Sequence, residues 1–264
     1  MNLKDKTIAF VGAGNMGEAL IRGLLAAGTV KPQHIIAMDV RPDRLEFLKK
    51  TFRIRTTATA PEADILVLAV KPQQMSEALR SLPNRSLIIS IAAGVTTARI
   101  EQELGAKARV VRVMPNTPAL VGAGAAALCK GAHATEEDLA TAEAILGAVG
   151  ITVRVEERLI DAVTALSGNG PAYIFYVAEA MIDAGVKAGL TREVAAKLAL
   201  QTIYGAGKLL IESSDAPAML RQKVTSPGGT TEAALKVMTE RKLMEIFREA
   251  ITAATKRGKE LSGN

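Results

Sequence analysis

The residues Thr225-Ser226-Pro227-Gly228-Gly229-Thr230-Thr231 combine hydroxyls, glycines and a proline in an arrangement suited to holding an anion. Pro227, Gly228 and Gly229 force a tight turn with few Cβ atoms, and Thr230 or Thr231 is expected to cap the helix that follows. Such a turn aims several backbone N–H groups, and the positive end of a helix, at one point. Thr225, Ser226, Thr230 and Thr231 surround that point, with no charged side chain between them. The chemistry offered is a cradle for a small carboxylate. An ordinary capped helix start has the same composition, so the functional reading draws its weight from the other end of the chain.

There, Thr7-Ile-Ala-Phe-Val11 reads as a buried strand leading into Gly12-Ala13-Gly14-Asn15-Met16-Gly17 and then into a segment with helical spacing. This is the G-x-G-x-x-G pattern in its required setting between strand and helix. Gly12 permits the turn, Gly14 lets the backbone approach a pyrophosphate, and Gly17 allows close helix–sheet packing. A second strand, Ile35-Ile-Ala-Met38, ends in Asp39, whose carboxylate suits an adenosine ribose and favours NAD. Arg41 and Arg44 follow, and their guanidinium groups suit a 2′-phosphate, which favours NADP. The expected cofactor is NADPH, with NADH the alternative.

The elements that position these groups alternate in the first half of the chain, which implies a mostly parallel sheet with helices on both faces. Ile65-Leu-Val-Leu-Ala69-Val70 closes with Lys71-Pro72, Ser86–Ser90 runs into Ala92-Ala93-Gly94, and Arg109–Met114 ends before Asn116. Ligands of such sheets bind beyond the carboxyl ends of the strands, so these ends should converge on the dinucleotide. Lys71 is the charged group at a strand end, expected to bond backbone or cofactor rather than to donate a proton. From Glu156 onward the strand signals stop. Asp161–Leu166, Pro171–Ala188, Arg192–Ile211, Pro217–Val224, Thr231–Thr239 and Leu243–Glu260 all have helical periodicity. The expected fold class is an α/β Rossmann-type dinucleotide-binding domain over residues 1–155. An all-α domain for substrate binding and dimerisation follows over residues 156–264.

Composition excludes several alternatives. The chain has 264 residues, 48% hydrophobic and 23% charged, as in a soluble globular protein. Its net charge is +6, but the basic residues are scattered, Trp is absent and aromatics make up 3%, which argues against nucleic acid as a partner. The single Cys129 allows no internal disulfide, and with only His34 and His133 no metal site is expected. No leader or membrane-spanning run is apparent, so a cytoplasmic protein without membrane association is expected.

With both ends read, the chain resembles the pyrroline-5-carboxylate reductases. The resemblance rests on Val11–Gly17, Ala69–Pro72, Ala92–Gly94, Asn116-Thr-Pro118, Ser167-Gly-Asn-Gly-Pro-Ala-Tyr173 and Thr225–Thr231, of which the last two are specific to that family. It implies NAD(P)H-dependent reduction of 1-pyrroline-5-carboxylate to L-proline. It places the cofactor on Gly12–Gly17, Ala69–Pro72 and Ala92–Gly94, with Asn116 beside it, and the substrate carboxylate on Ser226–Thr231 with the Thr231 hydroxyl at the ring nitrogen. It also implies a homodimer that assembles further into a decamer. Two departures stand out: Asn169 replaces the usual serine, and the segment Phe52–Asp64 is short. A β-hydroxyacid dehydrogenase shares the two-domain plan but needs a lysine four positions after its glycine pair, where this chain has Ile174. A non-catalytic dinucleotide-binding module would not need the anion turn.

The helices after Glu156 are apolar on more than one face, as in Tyr173–Ala178 and Leu198–Tyr204. A helix apolar all round must be covered on all sides, which a domain of this size cannot do alone. A second subunit is the expected cover.

Overall fold

The computed structural model describes residues 3–83, 85–105 and 107–263. Its first half alternates strands and helices: β1 (Ile8–Val11), α1 (Asn15–Ala26), β2 (Ile35–Met38), α2 (Pro42–Phe52), β3 (Arg55–Thr57), β4 (Ile65–Leu68), α3 (Met75–Arg80), β5 (Leu87–Ser90), α4 (Thr97–Leu104) and β6 (Arg109–Met114). It continues with β7 (Gly124–Lys130), α5 (Glu136–Leu146), β8 (Gly150–Arg154) and α6 (Ile160–Val163). The remainder is helical: α7 (Gly170–Lys187), α8 (Arg192–Glu212), α9 (Pro217–Lys223), α10 (Thr230–Glu240) and α11 (Leu243–Ser262).

The strands form one eight-stranded sheet in the order β3-β2-β1-β4-β5-β6-β7-β8. Only the β6–β7 pair is antiparallel, with Val111 opposite Lys130 and Met114 opposite Ala127. The order reverses between β1 and β4, and that switch point is where doubly wound sheets open a ligand crevice. The continuous apolar strands are explained by burial on both faces. Ile8 and Phe10 of β1 pack on one side with Leu20, Ile21 and Leu24 of α1. Ala9 and Val11 pack on the other with Met75 and Leu79 of α3. Each fully buried aliphatic side chain of α1 stabilises the fold by roughly 1.5–3 kcal/mol relative to exposure.

Two compact units emerge from the contacts: Met1–Asn169 together with Ala253–Asn264, and Gly170–Thr252. The strands do end at Arg154, as the change of pattern at Glu156 implies. The unit boundary nevertheless falls later than residue 155, because the segment after β8 packs on the sheet. Ile160 is buried against Ala127 and Cys129 of β7, and the last turns of α11 belong to the same unit, where Ser262 Oγ donates to Asp161 Oδ2 at 3.3 Å.

The helix expected over Asp161–Leu166 is cut short. It ends at Val163 and widens into a π-type turn over Thr164–Gly168, closed by Asn169 N–H donating to Thr164 O at 2.8 Å. Gly168 lies close to β6 there: a Cβ would come 2.5 Å from Met114 Cε, and the methionine side chain would have to shift.

In the second unit α7 and α8 pack closely, with Gly185 lying where a Cβ would come 3.2 Å from that of Ala195. Little else is covered: Ala178, Ala195 and Ala199 are its buried apolar residues among those described. No described helix is long and apolar enough to cross a membrane.

Candidate active site

The glycine loop follows β1 at the switch point. Gly12 N–H donates to Met38 O at 2.9 Å and Ala69 N–H to Val11 O at 2.8 Å, so the loop is tied to the ends of β2 and β4. Gly12 has φ +86°, and a Cβ on it would approach the Ala69 backbone to 2.9 Å. A Cβ at Gly17 would lie 3.0 Å from Gly12 O, whereas nothing comes within 4 Å of the same position at Gly14. The three glycines thus divide their work as turn, open approach and close packing. Gly14 caps α1 with extended dihedrals and no side chain. The first amides of α1, on Asn15, Met16 and Gly17, therefore have no intrahelical acceptor and offer a site for a pyrophosphate.

Asp39, at the tip of β2, is directed at this loop. Its Oδ2 accepts Ala13 N–H at 3.1 Å, and its Oδ1 accepts the Arg41 N–H at 3.0 Å and Nε–H at 3.4 Å. Arg41 remains largely exposed beyond that contact. Arg44 differs from the sequence expectation of a group facing a 2′-phosphate. Its Nε donates to Ala13 O at 2.6 Å and its Nη2 to Glu18 Oε2 at 2.6 Å, with a longer contact to Gly14 O at 3.4 Å. A carboxylate on α1 and two loop carbonyls already neutralise and orient it.

The other expected cofactor residues lie at the carboxyl ends of adjacent strands. Ala69, Val70, Lys71 and Pro72 follow β4, and Ala92, Ala93 and Gly94 follow β5. Ala92 is buried while Ala93 is exposed, and Gly94 turns the chain with φ +72°. The Lys71 side chain is exposed, with no hydrogen-bond or ion-pair partner among the described residues.

Asn116, expected beside the cofactor, uses its side chain in two bonds within the protein. Its Oδ1 accepts Ala125 N–H at 2.9 Å and its Nδ2 donates to Ser167 O at 3.1 Å. The side chain pins the Ser167–Asn169 turn to the ends of β6 and β7.

Behind the Ala92–Gly94 loop lies a polar junction that sequence reasoning missed. Glu157 accepts the Thr97 amide at 2.8 Å and hydroxyl at 2.6 Å, and also the buried Arg112 guanidinium at 3.0 Å. Burial, reinforced by the Glu157 carboxylate, pushes the neighbouring Cys129 thiol up to about 12, which keeps it protonated and inert. An apolar strand interrupted by arginine was the available signal, since a buried arginine needs an acidic partner.

In the second unit, Ser226–Gly229 forms a type II turn: Gly229 N–H donates to Ser226 O at 3.0 Å and Gly228 has φ +70°. The helix cap is Gly229, with φ −85° and ψ 171°, and not Thr230 or Thr231. Because Gly229 is the last extended residue, both threonines enter the first turn of α10 and their hydroxyls are released from capping. The hydroxyls of Ser226, Thr230 and Thr231 have no partner among the described residues, and Thr231 is half-buried. Thr225 is different, since its hydroxyl donates to Arg221 O at 2.7 Å and closes α9.

The turn is also less free of charge than expected. Glu232 reaches back so that its Oε2 accepts Gly228 N–H at 2.8 Å. The amides left for an anion are therefore those of the first turn of α10, beginning at Thr230 and Thr231. The spacing of Glu232 three residues after the cap was the readable sign of this contact.

A cavity of about 590 Å³ lined by Thr7, Asp64, Ser86, Arg109 and Asp138 lies at the amino ends of the strands, opposite the glycine loop. None of the cofactor or substrate residues expected from the sequence lines it.

Comparison with known proteins bears on both units. A family described as pyrroline-5-carboxylate reductase dimerisation matches residues 157–261, and one described as NADP oxidoreductase, coenzyme F420-dependent, matches residues 7–94. A pyrroline-5-carboxylate reductase of Synechocystis is 43% identical over 96% of this chain and 97% of its own. The solved pyrroline-5-carboxylate reductase of Coxiella burnetii is 42% identical with a TM-score of 0.91, covering 97% of this chain and 98% of that one. A Plasmodium falciparum pyrroline carboxylate reductase with NADP bound is 31% identical with a TM-score of 0.86, covering 98% and 99%.

Proposed function

This chain belongs to the pyrroline-5-carboxylate reductase family and reduces 1-pyrroline-5-carboxylate to L-proline with NAD(P)H, and from that premise we propose how its residues divide the work. The cofactor is held by Gly12–Gly17, with Ala69–Pro72 and Ala92–Gly94 alongside. The open space over Gly14 and the unbonded amides of α1 fit a pyrophosphate, the observation that carries this assignment. Bound there, the reduced nicotinamide supplies a hydride to the C=N carbon.

The remaining tasks fall to the second unit. The amides at Thr230 and Thr231, with the Ser226 hydroxyl, hold the substrate carboxylate, and the free Thr231 hydroxyl hydrogen-bonds the ring nitrogen. A protonated imine is already electrophilic, so the site needs orientation more than a strong base. Thr225 sets the loop from behind through its bond to Arg221.

NADPH is the preferred form, with Arg41 rather than Arg44 meeting the 2′-phosphate. Arg41→Ala should lower kcat/KM for NADPH by about 1–2 kcal/mol and leave NADH nearly unchanged. Equal loss with both cofactors would remove Arg41 from phosphate recognition. The overall reading is tested by adding 1-pyrroline-5-carboxylate to the protein and NADPH. Stoichiometric NADPH oxidation and proline formation are expected, and their absence would overturn it.

The exposed apolar helices and the dimerisation family match support a homo-oligomeric reading. The unit is an obligate homodimer, able to associate further into a decamer. In it the Ser226–Thr231 turn of one subunit completes a site at the glycine loop of its partner. A cytoplasmic setting suits the reaction's demand for reduced cofactor and the single unpaired Cys129.

A further inference from the structure

Ala13, which precedes Gly14, is gripped at both of its backbone polar groups. Ala13 N–H is taken by Asp39, and Ala13 O by Arg44 Nε at 2.6 Å. Arg44 is held in turn by Glu18 on α1 at 2.6 Å, the two side chains being only 14% and 17% exposed. Its guanidinium also lies over the Phe47 ring, 5.2 Å from the centroid, and Glu18 takes a second guanidinium from Arg22. A planar fork fixed by a carboxylate, a carbonyl and a ring has few orientations left.

We propose that the Glu18–Arg44 pair is a positioning device for the glycine loop, and that Arg44 acts on the dinucleotide through the Ala13–Gly14 backbone without reading its 2′-position. This rests on the cofactor assignment above and sharpens it, because the two arginines that follow β2 then have separate roles. A loop held in its bound shape loses less freedom when a pyrophosphate arrives. NADPH and NADH carry the same pyrophosphate and differ only at the 2′-position. A brace therefore affects both equally, whereas a phosphate reader affects one.

Dissociation constants for NADPH and NADH, measured on the full-length protein by quenching of nicotinamide fluorescence, separate the two roles. Arg44→Gln should raise both constants by about tenfold, with their ratio changed by less than about twofold. Arg44→Lys keeps the charge but not the fork and should rescue little. Glu18→Gln should move both constants in the same direction by a smaller factor. At saturating cofactor, kcat and the KM for 1-pyrroline-5-carboxylate should stay at wild-type values.

A loss confined to NADPH would show that Arg44 reads the phosphate and would overturn the proposal, as would unchanged constants for both. Should Arg44→Gln fail to fold, as judged by urea unfolding, the same two-cofactor comparison with Glu18→Gln and Arg44→Lys decides. Wild-type protein that binds neither dinucleotide would instead sink the cofactor assignment itself.

Discussion

In the first unit Phe10, Leu20 and Leu66 are wholly buried, while in the second Phe175, Tyr176 and Ile211 stand 61%, 72% and 86% exposed. The same contrast holds for polar groups. The glycine loop is braced by Asp39, Arg44 and Glu18, whereas three hydroxyls of the Ser226–Thr231 turn have no partner among the described residues. The first unit has a packed core, whereas the second leaves most of its apolar side chains and three hydroxyls of the turn uncovered. Dinucleotide binding should therefore survive damage that destroys reduction of the imine.

The largest effect should come from charging the exposed helical surface. Ile211→Glu places a carboxylate where a second subunit is expected, at a cost of about 3–5 kcal/mol if it is buried there without a partner. Sedimentation should show loss of the oligomer and assays loss of turnover, with the NADPH dissociation constant within about threefold of wild type. If cofactor binding fails as well, the two units are not separable in this way.

Within the first unit, two glycines sharpen the contrast between fold and ligand. Gly12→Ala meets both a positive φ and the Ala69 backbone, so unfolding should become easier by at least about 2 kcal/mol. Gly14→Ala meets open space at a negative φ, so stability should hold while cofactor affinity falls. Urea unfolding and NADPH titration on both variants check the difference.

Thr231→Val should lower kcat/KM by roughly 1–3 kcal/mol, because the shape is kept and one hydrogen bond is removed. The NADPH constant should not move. An unaltered kcat/KM would take Thr231 out of the reaction.

The smallest effect concerns acid. Burial raises the Glu18 carboxyl, but the Arg44 and Arg22 guanidiniums outweigh it and hold the group below its ordinary range. Since the folded value is the lower one, the stabilisation is present above the ordinary value and is lost as pH falls through the lowered one. Below about pH 5, wild type should lose up to about 1 kcal/mol more stability than Glu18→Gln. Urea midpoints that fall in parallel for the two proteins would contradict this.

What could be read beforehand depended on whether the signal was local. The strand–glycine–helix pattern of residues 7–25 and the long apolar helices carry their own evidence in spacing. β7, with three consecutive alanines at 125–127, lacks the branched residues that mark strands; its pairing with β6 and β8 makes it one. The cap of α10 falls one or two residues before the expected Thr230 or Thr231 because the extended dihedrals of Gly229, set by the preceding turn, decide it. Arg44 offered a guanidinium in the right place for a phosphate, but its partner Glu18 lies 26 positions away. Glu157, 45 positions from Arg112, is the same case. Charged residues advertise that they need partners without saying which.

The central claim, that the turn of one copy serves the glycine loop of another, has a direct measurement. Two inactive proteins are prepared, Gly14→Ala to block cofactor approach and Gly228→Val to break the type II turn at its positive φ. They are mixed, dissociated and reassembled. If sites are shared, each mixed dimer holds one intact site, and about a quarter of wild-type activity should return. If each subunit builds its own site, no combination contains an intact one, and a mixture that stays inactive despite forming mixed dimers would contradict the claim.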